Sequence, residues 1–224
     1  MQPNLDRGYK GIGMEGRIAA WYARNTARDM HDFAALAQRV TGALPAGSRV
    51  LEVAPGPGYL AIEIARRGQY QITGLDISHS FVEIASRNAR EARVDIDFRQ
   101  GNASAMPLPE STFDVILCRA AFKNFSQPVA AMNEMHRVLK PGGRALIIDL
   151  RNDASMDDIN AYIKRSDLGW ANSFIFKVTF RYLLLPRAYS RQQFVDMASS
   201  SAFAGARIEA SGIGFEVILQ KGRF

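Results

Sequence analysis

Three observations place this chain of 224 residues in the α/β class, with a doubly wound and mostly parallel sheet. Short aliphatic strand patterns alternate with amphipathic helical stretches from Val50 to Leu150, the order that builds βαβ units with right-handed crossovers. A glycine turn, Gly56-Pro-Gly58, joins the first strand pattern directly to a helix. The end of the chain differs: two close strand patterns, Ala206 to Ala210 and Phe215 to Lys221, flank Ser211-Gly-Ile-Gly214. So short a hairpin requires antiparallel pairing, and one edge strand should run against the rest.

Taken in order, residues 1–44 read as an N-terminal helical cap. Its helical periodicity covers Met14 to Tyr22 and then Ala27 to Leu44, the second through Met30, Phe33, Leu36, Ala37 and Val40 with Thr26 as a candidate cap. Residues 45–150 form the core. Val50 to Val53 and Tyr70 to Leu75 are its first two strands, and Ser80-x-x-Glu83 then opens a helix whose face is Phe81, Ile84, Ala85, Ala89 and Ala92. A third strand pattern covers Asp95 to Arg99, and a fourth, Phe113 to Cys118, precedes a helix opened by Pro128. Lys140-Pro-Gly-Gly143 makes a turn before a fifth strand, Arg144 to Leu150. Residues 151–189 are an excursion, with a helix at Ser155 to Lys164 and an aromatic-rich stretch from Leu168 to Tyr189 that reads as an acceptor lid, as core packing, or as a homodimer or membrane-surface contact. Residues 190–224 add a helix capped by Ser190-x-x-Gln193 and the final hairpin.

The stretch Val50 to Gly58 carries the functional signal. Gly56 and Gly58 let the backbone turn sharply and approach a ligand, and the spacing Gly56-x-Gly58-x-x-Ala61 also satisfies the dinucleotide fingerprint. Two acidic residues separate the alternatives. Glu52 lies inside the first strand and Asp76 ends the second, and a carboxylate beside the turn disfavours a pyrophosphate. Adenosylmethionine brings a sulfonium, an amino acid and a ribose whose hydroxyls want a carboxylate acceptor, so it suits this pair better.

On these residues the chain resembles the class I adenosylmethionine-dependent methyltransferases, whose motif acidic-x-Gly-x-Gly-x-Gly stands here as Glu52-Val-Ala54-Pro-Gly56-Pro-Gly58, with Ala54 in place of the first glycine. The pattern Arg137 to Ile148 looks most like the ubiquinone/menaquinone C-methyltransferase-like branch. The resemblance implies a Rossmann-like sheet of seven strands with the last one reversed. It also implies adenosylmethionine as cofactor, held by Glu52, Ala54, Gly56, Gly58, Asp76 and Ile77, with Asn102-Ala103 standing where the family has an Asp-Ala pair against the adenine. Tyr9, Trp21 and Tyr22 are candidates to roof the site; Trp21 and Tyr22 equally fit helix packing. The implied acceptor is small and fairly apolar, of an aromatic or quinol-like kind.

Arg119 and Lys123, just beyond the fourth strand, are the candidate catalytic cations that would orient the acceptor or lower its pKa, and Arg119 also counts among the cofactor contacts. None of the histidines, His31, His79 and His136, is placed convincingly as a base. The chain has one cysteine, Cys118, which excludes an internal disulfide and a thiolate metal cluster. It also argues against arsenic methylation, and no proline precedes it as in covalent cytosine C5 methylation. The signature of amino methylation is absent after the fourth strand.

A formal charge of +6 can attract nucleic acid, an anionic membrane surface or an acidic small molecule. Its clusters, Arg66-Arg67 and Arg87 to Arg93, fall at helical spacing and read as solvated faces, so an RNA substrate is the minor alternative and a non-catalytic cofactor-binding protein a second. No apolar run approaches 18 residues and Met1 to Asp6 lacks an apolar signal stretch. The expected location is the cytoplasm.

Overall fold

The computed structural model describes residues 8–11, 13–27, 30–165 and 184–222. Seven strands form one sheet in the order β3-β2-β1-β4-β5-β7-β6: β1 Arg49–Val53, β2 Gln71–Asp76, β3 Asp97–Gln100, β4 Phe113–Arg119, β5 Leu139–Leu150, β6 Arg207–Ser211 and β7 Gly214–Gln220. All neighbouring pairs from β3 to β5 are parallel. Only β7 is reversed, pairing antiparallel with both β5 and β6, so the reversed strand is not the edge strand as expected: β7 inserts beside β5 and its hairpin partner β6 takes the edge. The seven-stranded, doubly wound arrangement is therefore the one the sequence implies.

Helices cover both faces. Those that the residues describe are α1 Gly16–Thr26, α2 Met30–Thr41, α3 Tyr59–Ala65, α4 His79–Ala92, α5 Pro128–Val138, α6 Met156–Arg165 and α7 Arg191–Ser199. One face of the sheet packs Val50, Ile72, Val115 and Leu117 against Phe33, Leu36 and Val40 of α2 and Leu60, Ala61 and Ile64 of α3. The other packs Leu51, Val53, Ile116, Cys118, Ala145 and Ile147 against Met132, Met135 and Val138 of α5 and Phe194 of α7. Strand alternation sends successive residues to these two cores. The central strands are accordingly apolar on both faces over most of their length, with Glu52 the buried exception in β1.

Several local expectations change in detail. Ser78, not Ser80, caps α4, its hydroxyl accepting from the Phe81 amide at 3.1 Å. The Ser80 hydroxyl instead accepts from Gly16 at the start of α1. Thr26 is the last residue of α1, donating back to the Tyr22 carbonyl at 2.9 Å, and lies four positions before the start of α2. Residues 140–143 loop out between the β4 pairs Phe113↔Leu139 and Val115↔Arg144, so the Pro-Gly-Gly turn sits as an irregularity inside β5. Ser190 and Gln193 form both halves of the capping box. The aromatic stretch 168–189 falls outside the described residues up to 183. No helix among the described residues is long and apolar enough to cross a membrane.

The carboxyl ends of β4 and β5 are fastened together by a buried ion pair. Lys123 Nζ donates to Asp149 Oδ1 at 2.9 Å and to the Ala120 carbonyl at 2.6 Å. The Lys123 amide donates to Asp149 Oδ2 at 2.8 Å, and the Leu150 amide to Asp149 Oδ1 at 2.8 Å. Both side chains are nearly inaccessible, at 8% and 1%. Removing one partner of such a pair leaves an uncompensated charge and typically costs about 3–5 kcal/mol. Asp149→Ala should reach that range in urea unfolding, because it strips the ammonium of its anion and the Lys123 amide of its acceptor. Lys123→Met should cost measurably less, since two backbone amides still bind the carboxylate.

Candidate functional site

In open α/β sheets ligands bind beyond the carboxyl ends of the strands, where the strand order reverses. Here that place lies between β1 and β4, which leave the centre of the sheet in opposite directions of chain order. The glycine turn emerges from β1 at this edge. Ala54 (φ 56°), Gly56 (φ 55°) and Gly58 (φ 79°) all adopt the left-handed region. The departure at Ala54 is thus conformational: an L-residue there costs roughly 1–2 kcal/mol. Loss of room is the smaller matter.

Asp76 ties this turn to the loop after β2. Its Oδ2 accepts from the Gly56 amide at 3.0 Å and its Oδ1 from the Ser78 amide at 2.9 Å. A carboxylate offers about four acceptor positions, so the same group can still meet ribose hydroxyls. Glu52 is equally buried, and its Oε2 has no hydrogen-bond partner. An orphaned buried oxygen next to the turn is the observation that fits a cationic or hydroxyl-bearing ligand here. Burial pushes the Glu52 carboxyl up to about 8, against the Ala61 amide and the Arg119 charge, which pull it down. Burial likewise raises Asp76 to about 6, opposed by its amide donors.

The sheet register explains where the two candidate cations go. Glu52 pairs with Leu117 across β1 and β4, so Glu52 and Arg119 project to the α2–α3 face. There the Arg119 guanidinium lies 4.5 Å from the centre of the Phe33 ring. Lys123 lies on the opposite side, with its charge held by Asp149. The structure does not bring the two together. Lys123 was singled out by its position beyond β4; what sequence reasoning missed is Asp149, whose only signal is an aspartate ending an otherwise apolar strand.

The remaining candidates sit around the same edge. A Cβ on Gly56 would lie 3.9 Å from the Tyr22 ring, and Tyr22 packs edge-on against Phe81. Trp21 is 60% exposed and roofs nothing. Gly8 lies against Ile77 and Asn102 so closely that any side chain would collide, and this strap pairs with the segment after β4 through Tyr9↔Phe125, Lys10 N–H to Asn124 C=O and Ser126 N–H to Gly8 C=O. Asn102 is buried and accepts from the Ser104 amide at 2.8 Å through Oδ1. Ala103 packs at the edge of the core beside it. His31 is 98% exposed, and His136 packs on Phe203. Cys118 is buried, with burial raising its thiol far from reactivity.

This fold recurs among known proteins. Residues 51–147 match the methyltransferase domain family. Demethylmenaquinone methyltransferase of Deinococcus radiodurans is 37% identical over 108 residues, covering 48% of this chain and 45% of that protein. The enzyme of the same name from Chlorobaculum tepidum is 33% identical over 142 residues, covering 62% and 57%. The chain therefore spans about half the length of the curated relatives it matches. Among solved structures, an adenosylmethionine-dependent methyltransferase from Methanococcus maripaludis shares the fold with a TM-score of 0.73, at 20% identity over 96% of each chain. Over residues 51–147 the chain is thus similar to the methyltransferase domain family, and it shares its fold with a structure of an adenosylmethionine-dependent methyltransferase. Its curated relatives include demethylmenaquinone methyltransferases and a ubiquinone/menaquinone biosynthesis C-methyltransferase from Roseobacter denitrificans, 34% identical over 107 residues, covering 46% of this chain and 43% of that protein.

Two measurements probe the strain and charge at this edge. Ala54→Gly should raise stability by up to about 1 kcal/mol in thermal or urea unfolding, the relief of a positive φ outweighing the added freedom of the unfolded chain. Because Glu52 and Asp76 hold protons in the folded state that the unfolded chain has lost, both favour folding at low pH and lose that contribution as pH rises through about 8 and about 6. Glu52→Gln should therefore show a stability advantage over the parent that grows between about pH 4.5 and 8 and then levels off. A difference that is flat across this window would contradict the buried, protonated Glu52.

Proposed function

We propose that the protein transfers a methyl group from adenosylmethionine to a small, fairly apolar, quinol-like acceptor. The single observation that carries the cofactor half is the pairing of an orphaned buried Glu52 oxygen with the Asp76-braced glycine turn. The acceptor half is supported by relatives named for menaquinone and ubiquinone synthesis.

When bound, adenosylmethionine supplies an electrophilic methyl group on a sulfonium. The protein's own part is placement, which can lower such a barrier by roughly 7–11 kcal/mol. Asp76, fixed by two amides, holds the ribose hydroxyls, and Ile77 with Asn102-Ala103 borders the adenine. Glu52 and the backbone of Ala54 to Gly58 receive the methionine end. Tyr22 closes the turn from above and limits water, so that charge dispersal in the transition state is favoured over the charged reactants. Arg119 stands where a cation would favour the deprotonated form of an acidic phenol or quinol. Lys123 acts at a distance, by holding the segment after β4 against β5.

Calorimetric titration with adenosylmethionine, adenosylhomocysteine and NAD tests the cofactor half. Both sulfur cofactors should bind saturably and NAD should not. Asp76→Asn, which retains an acceptor for the turn, should weaken binding by roughly ten- to a hundredfold through loss of charge-assisted hydrogen bonds. Labelled methyl transfer to a panel of demethylated quinols, phenols and thiols then tests the acceptor. Turnover on RNA alone, or binding without turnover on any acceptor, would displace this reading.

A further inference from the structure

Helix α1 has two faces with different destinations. The inner one is buried or pinned. Ala19 and Ala23 pack with Phe81 and Ile84 of α4, and Tyr59 of α3 donates to the Ala23 carbonyl at 3.0 Å. At the helix start, Glu15 accepts from the His79 and Ser80 amides at 3.0 Å each, and Ser78 donates to the Met14 carbonyl at 2.6 Å. The helix cannot roll without breaking these bonds.

The outer face carries Arg17, Ile18, Trp21 and Arg24. Ile18 is 46% and Trp21 60% exposed, two of the large apolar side chains left in water among the described residues, and they sit three residues apart on one helix face. Both arginines are exposed, and neither is in an ion pair among the described residues. Glu15, one residue before the helix, has its carboxylate occupied by the α4 amides. The whole chain carries a +6 charge. An indole with an aliphatic neighbour, flanked by two exposed guanidinium groups on a pinned helix, matches the headgroup boundary of an anionic bilayer, where Trp seats at the interface and Arg meets lipid phosphate.

We propose that the Arg17–Ile18–Trp21–Arg24 face of α1 docks the protein peripherally on an anionic membrane surface. Because Tyr22, on the flank of α1 between its outer and inner faces, lies above Gly56, docking sets the glycine turn within one helix diameter, about 10–12 Å, of the lipid. The surface role goes beyond methyl transfer, and its measurement needs neither cofactor nor acceptor, so either reading can fail without the other.

The test uses the full chain with Trp170→Phe, which leaves Trp21 as the sole indole, and vesicles of phosphatidylcholine with or without phosphatidylglycerol. Sedimentation with the anionic vesicles, a blue shift of Trp21 emission and quenching by brominated lipid are expected, with little binding to neutral vesicles. Changing Arg17 or Arg24 to Gln should weaken the partition coefficient by roughly fivefold each, and Trp21→Ala by about tenfold or more, while the melting temperature stays within a few degrees of the parent. Binding that is unchanged in these variants, or absent from all vesicles, would overturn the proposal. So would a dimer in light scattering that Trp21→Ala dissolves, or Trp21 emission that responds to RNA and not to lipid.

Discussion

A buried carboxylate at the end of β2 holds the site together. Asp76 receives the amide of Gly56 from one loop and that of Ser78 from another, and Ser78 in turn caps α4 and donates to Met14 ahead of α1. One group thus links the glycine turn, the start of α4 and the entry of α1. Burial alone would protonate it. The amide dipoles that counter this are the same ones that set the turn's geometry, so the charge of Asp76 and the shape of the turn are maintained by a single set of bonds. The ligand-facing lone pairs are what is left after the fold has taken its share.

Glu52 represents the opposite solution on the neighbouring strand. It has little compensation: one backbone amide, the distant pull of Arg119, and an oxygen with no partner. The protein tolerates it because the group remains protonated over much of the neutral range, which avoids most of the desolvation cost of a buried anion. Two carboxyls placed on adjacent parallel strands therefore differ in ionisation because their hydrogen-bond environments differ. This separation gives the edge one anionic and one neutral acceptor, an arrangement better matched to a ribose and an amino-acid end than to two phosphates.

Local patterns in the chain disclosed more than its distant pairings. The doubly wound sheet, the antiparallel hairpin and the Ser190–Gln193 capping box are set by alternation, a short connection and neighbours in sequence, so each was legible, whereas the insertion of β7 between β5 and β6 is a pairing between distant strands and was not. The same holds for the grouping of Glu52, Gly56 and Asp76, which topology brings to one edge. Lys123 misled because its partner, Asp149, lies on another strand, and no periodicity reveals which buried aspartate a lysine will find. Ser78 and Ser80 compete for one cap, and the choice between them is made by α1, a tertiary contact. The irregularity at 140–143 follows the same logic: the turn residues are present, but β4 pairs on both sides of them and β5 continues through.

The positions of Ala54 and Ala120 show how the edge is held in an unfavourable state. Both alanines have positive φ, 56° and 58°, and they end the two strands that flank the switch point. Each is over-determined by a neighbour strand: the Ala54 amide donates to Leu75 at 2.8 Å and the Ala120 amide to Ile148 at 2.7 Å. Strain of this kind persists only when surrounding bonds outweigh it. At Ala120 the Lys123 ammonium adds a further hold on the carbonyl, so the Lys123–Asp149 pair stabilises a bent chain as well as two strands. That bend turns the segment after β4 back across the edge, where residues 124–126 pair with the Gly8–Lys10 strap. The charge that looked catalytic in the sequence thus reaches the site through the backbone it shapes, by a pair buried on the far face of the sheet.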